Sequence, residues 1–327
     1  MILTGQHPSL DPVDFGLDRL HTVRLACPGE TDPDRHAQRV AAAIGPLLEP
    51  PPRLLVVQGD TSSALGGALA GFAANVPVAH VEAGLRTHDA RRPWPEEGYR
   101  TRIDARADLL FAPTEGSSAN LLKEQVAGAI HVTGNTAIDA LLDVVADLPS
   151  GGVRESRRVL VTCHRRENWG EGLQSVAFAV LGLAATGLVA IEVVLPPNAH
   201  VAATLVRLLR GNPNITLVEP CSHRDLVDKM RNAGLVLSDS GGMQEEAPAL
   251  GVPLLILRDK SERPEGIASG NMRLVGTSCT AIIAEARRLL TDPLAYAAMS
   301  RPAFPYGDGH AAPRIAKIIA EWLDQEP

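Results

Sequence analysis

LSDSGGMQEEAPALG, residues 237–251, passes from an apolar strand through Asp239-Ser240-Gly241-Gly242 directly into a helix that begins near Met243. Two glycines let backbone N–H groups come close to an anion, and the positive end of a helix favours negative charge. Glu245 or Glu246, in the first turn, has the chemistry to accept hydrogen bonds from a ribose diol. The same letters also describe a tight strand-to-helix turn whose acids suit the helix dipole. A strand–Gly–helix unit is common and does not by itself prove a phosphate site.

The strand–turn–helix unit repeats on both sides of this stretch. Strands are predicted at 54–59, 76–83, 109–114 and 130–134, with helices at Ser63–Ala74, Glu96–Ala107, Glu115–Glu124 and Thr136–Leu148 between and after them. The polar stretch PSGGVRESR, 149–157, reads as a linker. The pattern then restarts, with strands at 158–163, 189–196, 215–220, 235–240 and 253–258 and a last amphipathic helix from about Ala312 to Leu323. Short apolar runs alternating with amphipathic stretches are the pattern of a parallel sheet flanked by helices. The expected fold is therefore α/β, two Rossmann-like doubly wound domains facing a cleft. The first spans 1–150 and the second 151–327, with the last helix packing back on the first. Ligands in such folds bind at the carboxyl ends of the strands.

Polar segments sit at those ends. In VTCHRREN, 161–168, His164, Arg165 and Arg166 follow an apolar strand. Arginine forks suit diphosphate oxygens, and an imidazole can donate to the same group or shuttle a proton. The plainer reading is a solvated loop with Glu167 paired to an arginine. Between Gly59 and Arg100, Asp60 ends one strand, Glu82 ends the next, and Glu96 and Glu97 open a helix after Trp94-Pro95. Each acid alone is readily a helix-cap residue; three converging on one cleft are less easily dismissed.

Composition narrows the partners. The net charge of -7 argues against a protein that coats nucleic acid. Cys27, Cys163, Cys221 and Cys279 are far apart, which suits reduced thiols rather than a zinc site or a disulfide framework. No apolar run reaches 18 residues, and no basic region followed by an apolar one opens the sequence. The expectation is a soluble cytoplasmic protein with no membrane partner.

GDTSSAL, HVEAGLRT, PWPEE, VTGNT, HRREN, SDSGGMQEE and ERPEG occur here in the order seen in non-hydrolysing UDP-N-acetylglucosamine 2-epimerases, and nearly the whole chain resembles that family. The resemblance implies a glycosyltransferase-B-like fold. It implies interconversion of UDP-N-acetylglucosamine and UDP-N-acetylmannosamine through a glycal, without nicotinamide cofactor or essential metal. It also implies a homodimer serving polysaccharide synthesis. Relatives that hydrolyse the nucleotide carry a glycine-rich version of HVEAGLRT, so the non-hydrolysing class is favoured.

Carried over residue by residue, the resemblance supplies Asp60, Glu82 and Glu96 as the acid/base set, without assigning a sugar face to each. His164, Arg165, Arg166 and the Ser240, Gly241, Gly242 backbone fall to the leaving diphosphate, and Glu245 to the ribose. Gln6 and His7, in TGQHP, match a segment linked to regulation. The chain differs from relatives at PPNAHV (196–201), where an HxNP-type segment is usual. It also differs at His223 and Leu226, where tyrosine and phenylalanine stand, and at Tyr99, where asparagine stands. Relatives also begin with an extra strand and a Gly-Thr-Arg-Pro-type loop. Met1-Ile2-Leu3-Thr4 then reads as the second strand, and the expectation is either a start some 30 residues earlier, about one βα unit, or a gapped first sheet, with the chain as given a poor catalyst in either case. Two other readings share the fold: a UDP-sugar glycosyltransferase, which needs a single base and an acceptor groove, and a catalytically impaired sugar-nucleotide-binding homologue.

Overall fold

Val78–Val81, Leu109–Ala112 and Ala233–Ser238 are buried along their whole length. A parallel sheet carries helices on both faces, which buries such largely apolar strands on both sides. The computed structural model describes residues 1–7, 11–15, 17, 19–149 and 155–325. The chain divides into two compact units, Met1–Thr133 with Arg314–Pro327, and Gly134–Pro313.

The first unit opens with β1 (Ile2–Leu3), paired in parallel with β2 (Val23–Arg24), and then α1 (Pro33–Ile44). A regular βα alternation follows: β3 (Leu55–Gln58), α2 (Ser62–Ala73), β4 (Val78–Val81), α3 (Glu96–Asp104), β5 (Leu109–Ala112), α4 (Glu115–Glu124) and β6 (Ala129–Val132). Strands β3, β4, β5 and β6 form one parallel sheet in sequence order. The first-unit sheet is thus in two pieces, and among the described residues no strand pairing joins them. Helix starts are set by local chemistry: the Thr61 hydroxyl accepts from Ala64 N at 3.1 Å and Thr114 from Ser117 N at 3.0 Å.

In the second unit come α5 (Thr136–Asp147), β7 (Glu155–Thr162), α6 (Glu171–Ala184), β8 (Ala190–Val194), α7 (Ala199–Leu209), β9 (Ile215–Val218) and α8 (His223–Asn232). They are followed by β10 (Ala233–Ser238), α9 (Gly241–Ala249), β11 (Leu254–Ile256), α10 (Pro264–Ala268), β12 (Met272–Leu274), α11 (Cys279–Thr291) and α12 (Pro293–Met299). The six-stranded parallel sheet runs β12-β11-β10-β7-β8-β9. Counted from β7, this is the 3-2-1-4-5-6 order of a dinucleotide-type fold, and the strand order reverses between β7 and β10. The last helix is α13 (Ala311–Gln325).

Two details differ from the sequence reading. Strands β2 and β12 are too short to stand out from their surroundings. The linker stretch 149–157 lies largely outside the described residues, and the units divide instead at Thr133/Gly134 and Pro313/Arg314. The reason is packing: Ile138 and Leu141 of α5 share a core with Val227, Ala249 and Tyr306, all of the second unit. Ile315, with Ile318, Ile319 and Trp322 of α13, covers Ala79, Val81, Leu109 and Phe111 in the first. Among the described residues no helix is long and apolar enough to cross a membrane.

Leu141 is fully buried where α5 meets the second-unit helices. Leu141→Ala should lower the stability of the folded chain by roughly 2–5 kcal/mol, through lost transfer energy and the cavity left behind. Urea denaturation checks this, and a loss below about 1 kcal/mol would contradict the packing assigned to α5.

Candidate functional site

At the reversal point of the second-unit sheet, the turns after β7 and β10 are tied together by one carboxylate. Asp239 has no exposed surface. It accepts from His164 N at 3.0 and 3.1 Å, Arg165 N at 2.9 Å and Asn168 Nδ2 at 2.9 Å, and the Cys163 thiol donates to it at 3.2 Å. Asn168 also donates to the Leu257 carbonyl at 2.9 Å, which adds the end of β11 to the knot. Burial and then the Asp239 charge push the Cys163 thiol well above its ordinary pKa, so this cysteine is a structural donor rather than a nucleophile.

The knot carries the charged groups. Helix α9 starts at Gly241, and the Ser240 hydroxyl makes no bond into its first turn. A Cβ on Gly241 would lie 2.9 Å from Arg263 Nη1 and 3.2 Å from Arg165 Nη2. Only glycine lets two guanidiniums come this close to the helix start. Arg263 is already paired with Glu245 and Glu262, and the helix start with the Arg165 guanidinium beside it has the chemistry that suits a phosphate group. His164 projects beside it, with Nδ1 3.3 Å from Asp239 Oδ1. Partial burial, reinforced by Arg165 and Arg258, holds the imidazole below its ordinary pKa in spite of Asp239. His164 is therefore neutral at pH 7 and able to donate or accept.

The structure separates the sequence-predicted residues of this unit. Arg165, Ser240, Gly241 and Gly242 meet at the α9 start, whereas Arg166 is exposed with its guanidinium 5.9 Å over the Trp169 ring. Glu245, expected at a ribose, is instead engaged internally: Arg263 Nε donates to Oε1 at 2.6 Å and Asn135 Nδ2 to Oε2 at 2.6 Å. Its neighbour Glu246 pairs with the half-exposed His223 at 2.7 Å. That hydrogen bond raises the His223 pKa against the opposing effect of burial. The sequence reading noticed His223 only as a missing aromatic; its pairing with Glu246 joins the first residue of α8 to α9 across 23 positions of sequence.

In the first unit the two acid-bearing turns touch. Gly59 takes φ +71°, and a Cβ there would be 3.3 Å from Glu82 Oε2. Glu82 itself sits at φ +71°, a strained conformation for a long side chain and a frequent mark of functional positions. Asp60 is ion-paired with buried Arg100, which also donates to Glu97 at 3.0 Å. Glu97 is spent structurally, accepting from Thr87 N at 2.9 Å and His88 N at 2.8 Å. Glu96, the first residue of α3, is half-buried. Behind these turns, His80 bonds Asp104 at 2.5 Å and Gly59 O at 2.9 Å, and Arg86 joins Asp104 to Glu124, each at 2.7 Å. A histidine in the middle of an otherwise apolar strand was the signal in HVEA for this cluster. Gln6 and His7 line a cavity of ≈ 510 Å³ with Arg24 and Ser63, and Gln6 Oε1 accepts from the Ser63 hydroxyl at 2.6 Å.

Removing the knot's carboxylate should be costly. Asp239→Ala leaves the part-buried His164 and Arg165 N–H groups without this acceptor and Asn168 Nδ2 with only the Leu257 carbonyl, an expected loss of roughly 3–5 kcal/mol. A urea midpoint unchanged from wild type would refute the tie between the two turns.

A family model described as UDP-N-acetylglucosamine 2-epimerase matches residues 1–320. The chain is 46% identical over 288 residues to a probable UDP-N-acetylglucosamine 2-epimerase of Ralstonia nicotianae, covering 83% of this chain and 76% of that protein. It is 43% identical over 298 residues to the UDP-N-acetylglucosamine 2-epimerase of Escherichia coli K12, covering 86% and 79%. Among solved structures, it matches the UDP-GlcNAc 2-epimerase of Neisseria meningitidis bound to UDP-GlcNAc, with TM-score 0.89, 34% identity and coverage of 95% and 87%.

Proposed function

Because the chain belongs to the UDP-N-acetylglucosamine 2-epimerase family, we infer that it inverts C2 of UDP-N-acetylglucosamine, giving UDP-N-acetylmannosamine. The observation that carries the reading is the pair of polar centres: a phosphate-suited α9 start in one unit and an acid set in the other.

The C2 hydrogen is too weakly acidic to remove first, so the C1–O bond breaks first and its electron pair leaves with UDP. Negative charge then grows on the diphosphate. The α9 N–H groups, Arg165 and neutral His164 are the groups suited to bind it, and preorganised donors of this kind are worth most where charge develops. One carboxylate takes the C2 proton, giving a 2-acetamidoglucal. An acid on the opposite face returns a proton to C2, UDP adds back at C1, and the configuration is inverted. Asp60, Glu82 and Glu96 fill these roles, with Arg100 holding Asp60 in place. The ribose contact is better assigned to Glu246 with His223 than to Glu245, both of whose oxygens are already held. The same resemblance supports a cytoplasmic homodimer that supplies polysaccharide synthesis.

Turnover in deuterium oxide with UDP-N-acetylglucosamine alone is the direct test. The product should carry one deuterium at C2. Epimerised product without label excludes the elimination route, and a glycosyltransferase would leave C2 unchanged.

Variants divide the roles. His164→Ala and Glu246→Gln should each weaken UDP binding about 10- to 100-fold, the range for a lost charge-assisted hydrogen bond. Glu96→Gln should instead lower kcat by about 10²–10⁴-fold with little change in UDP affinity. Calorimetry with UDP beside steady-state kinetics separates the two, and unchanged UDP affinity in both nucleotide-site variants would overturn the assignment.

A further inference from the structure

Both ring nitrogens of His80 face acceptors: Asp104 Oδ1 at 2.5 Å from Nδ1 and the Gly59 carbonyl at 2.9 Å from Nε2. A neutral imidazole has one N–H and cannot satisfy both. Either Asp104 is protonated or the ring is an imidazolium. Asp104 also accepts from Gly84 N at 3.1 Å and from the Arg86 guanidinium at 2.7 Å. A fully buried carboxyl with two such donors is held in its charged form, and its pKa lies below the ordinary value although burial alone would raise it. The charges then balance: His80 and Arg86 against Asp104 and Glu124. The other charged groups near the ring are Glu82, whose attraction also favours the cation, and the Asp60–Arg100 pair beyond Gly59.

We propose that His80 is an imidazolium in the working protein and, with Asp104, acts as the positioning pair that sets both acid-bearing turns. Its Nε2–H fixes the carbonyl of Gly59, the residue before Asp60. Asp104 fixes the N–H of Gly84, two residues beyond Glu82. One buried ion pair thereby sets the separation of the two carboxylates. His80 touches no substrate and acts through these turns. The effect on turnover rests on the epimerase reading; the protonation state does not.

The sign of the pH dependence follows. Burial pushes the His80 pKa down, but the Asp104 bond and charge, the Gly59 carbonyl and Glu82 outweigh it, so the folded value is raised. His80 thus stabilises the fold fully below its unfolded value of about 6.5, and this contribution is lost as pH rises through the higher folded value. Asp104 behaves oppositely, its contribution being lost as pH falls through its lowered folded value.

The test combines ¹⁵N-histidine NMR of the full chain with kinetics of two variants. His80 should show both ring nitrogens protonated at pH 8, assigned by loss of its signals in His80→Gln or His80→Asn. His80→Gln keeps a donor towards Gly59 without the charge, and His80→Asn keeps only the Asp104 contact. Each should lower kcat roughly 10- to 100-fold through misplacement of the acids, with UDP affinity within about twofold of wild type. A spectrum with no imidazolium at pH 8 overturns the proposal without any variant, as do two folded variants with wild-type kcat. A wild-type chain that holds the imidazolium but does not epimerise refutes the functional reading and leaves the protonation state standing. One that epimerises with a neutral ring does the reverse.

Discussion

The Asp239 carboxylate is the constraint from which the second unit's site follows. The sheet order reverses between β7 and β10, so the turns leaving those strands diverge to opposite faces of the sheet and open a crevice. A crevice between diverging turns has no regular hydrogen bonding to hold it. Asp239, at the tip of β10, supplies the missing acceptors to His164 N, Arg165 N and Asn168 Nδ2. With the backbone of the HRREN turn fixed in this way, the Arg165 guanidinium comes to lie against Gly241 at the start of α9. The acid needs no contact with ligand to matter, because it sets where the cations can be.

The first unit solves the same problem with an ion pair. Its acid-bearing turns leave adjacent parallel strands β3 and β4, and nothing in the ladder specifies the distance between side chains past the last paired residues. The cluster of His80, Asp104, Arg86 and Glu124 is buried behind them, where low dielectric makes a satisfied network stiff and an unpaired charge expensive. Both units therefore put a charged group just beneath the functional turns, where a packed apolar core would be the simpler way to gain stability.

Much of this was legible in the sequence because it depends on local pattern. Glu115–Glu124 carries its Thr114 cap and apolar stripe within its own letters and is found as read. The alternation of strand and helix in each half likewise survives in three dimensions, because strands covered on both faces are built mostly from apolar residues. Asp60, Glu82 and Arg165 were legible as residues just past such runs. What was not legible depends on neighbours distant in sequence. Nothing local distinguishes Glu245 from Glu246, or Glu96 from Glu97. In each pair one acid meets an internal arginine, Arg263 for Glu245 and Arg100 for Glu97, and that encounter is made by the fold.

Those two pairs also show how specificity is divided between adjacent residues. On a helix, neighbours point about 100° apart, so when one acid of a pair turns into the unit the other faces elsewhere. In α3 and α9 alike, the internal member of the doubled pair is held by a buried guanidinium, Arg100 for Glu97 and Arg263 for Glu245. The same division explains why Arg100 and Arg263 are buried arginines rather than lysines. A planar fork can hold the internal acid with one nitrogen and a second group with another, as Arg100 does with Glu97 and Asp60.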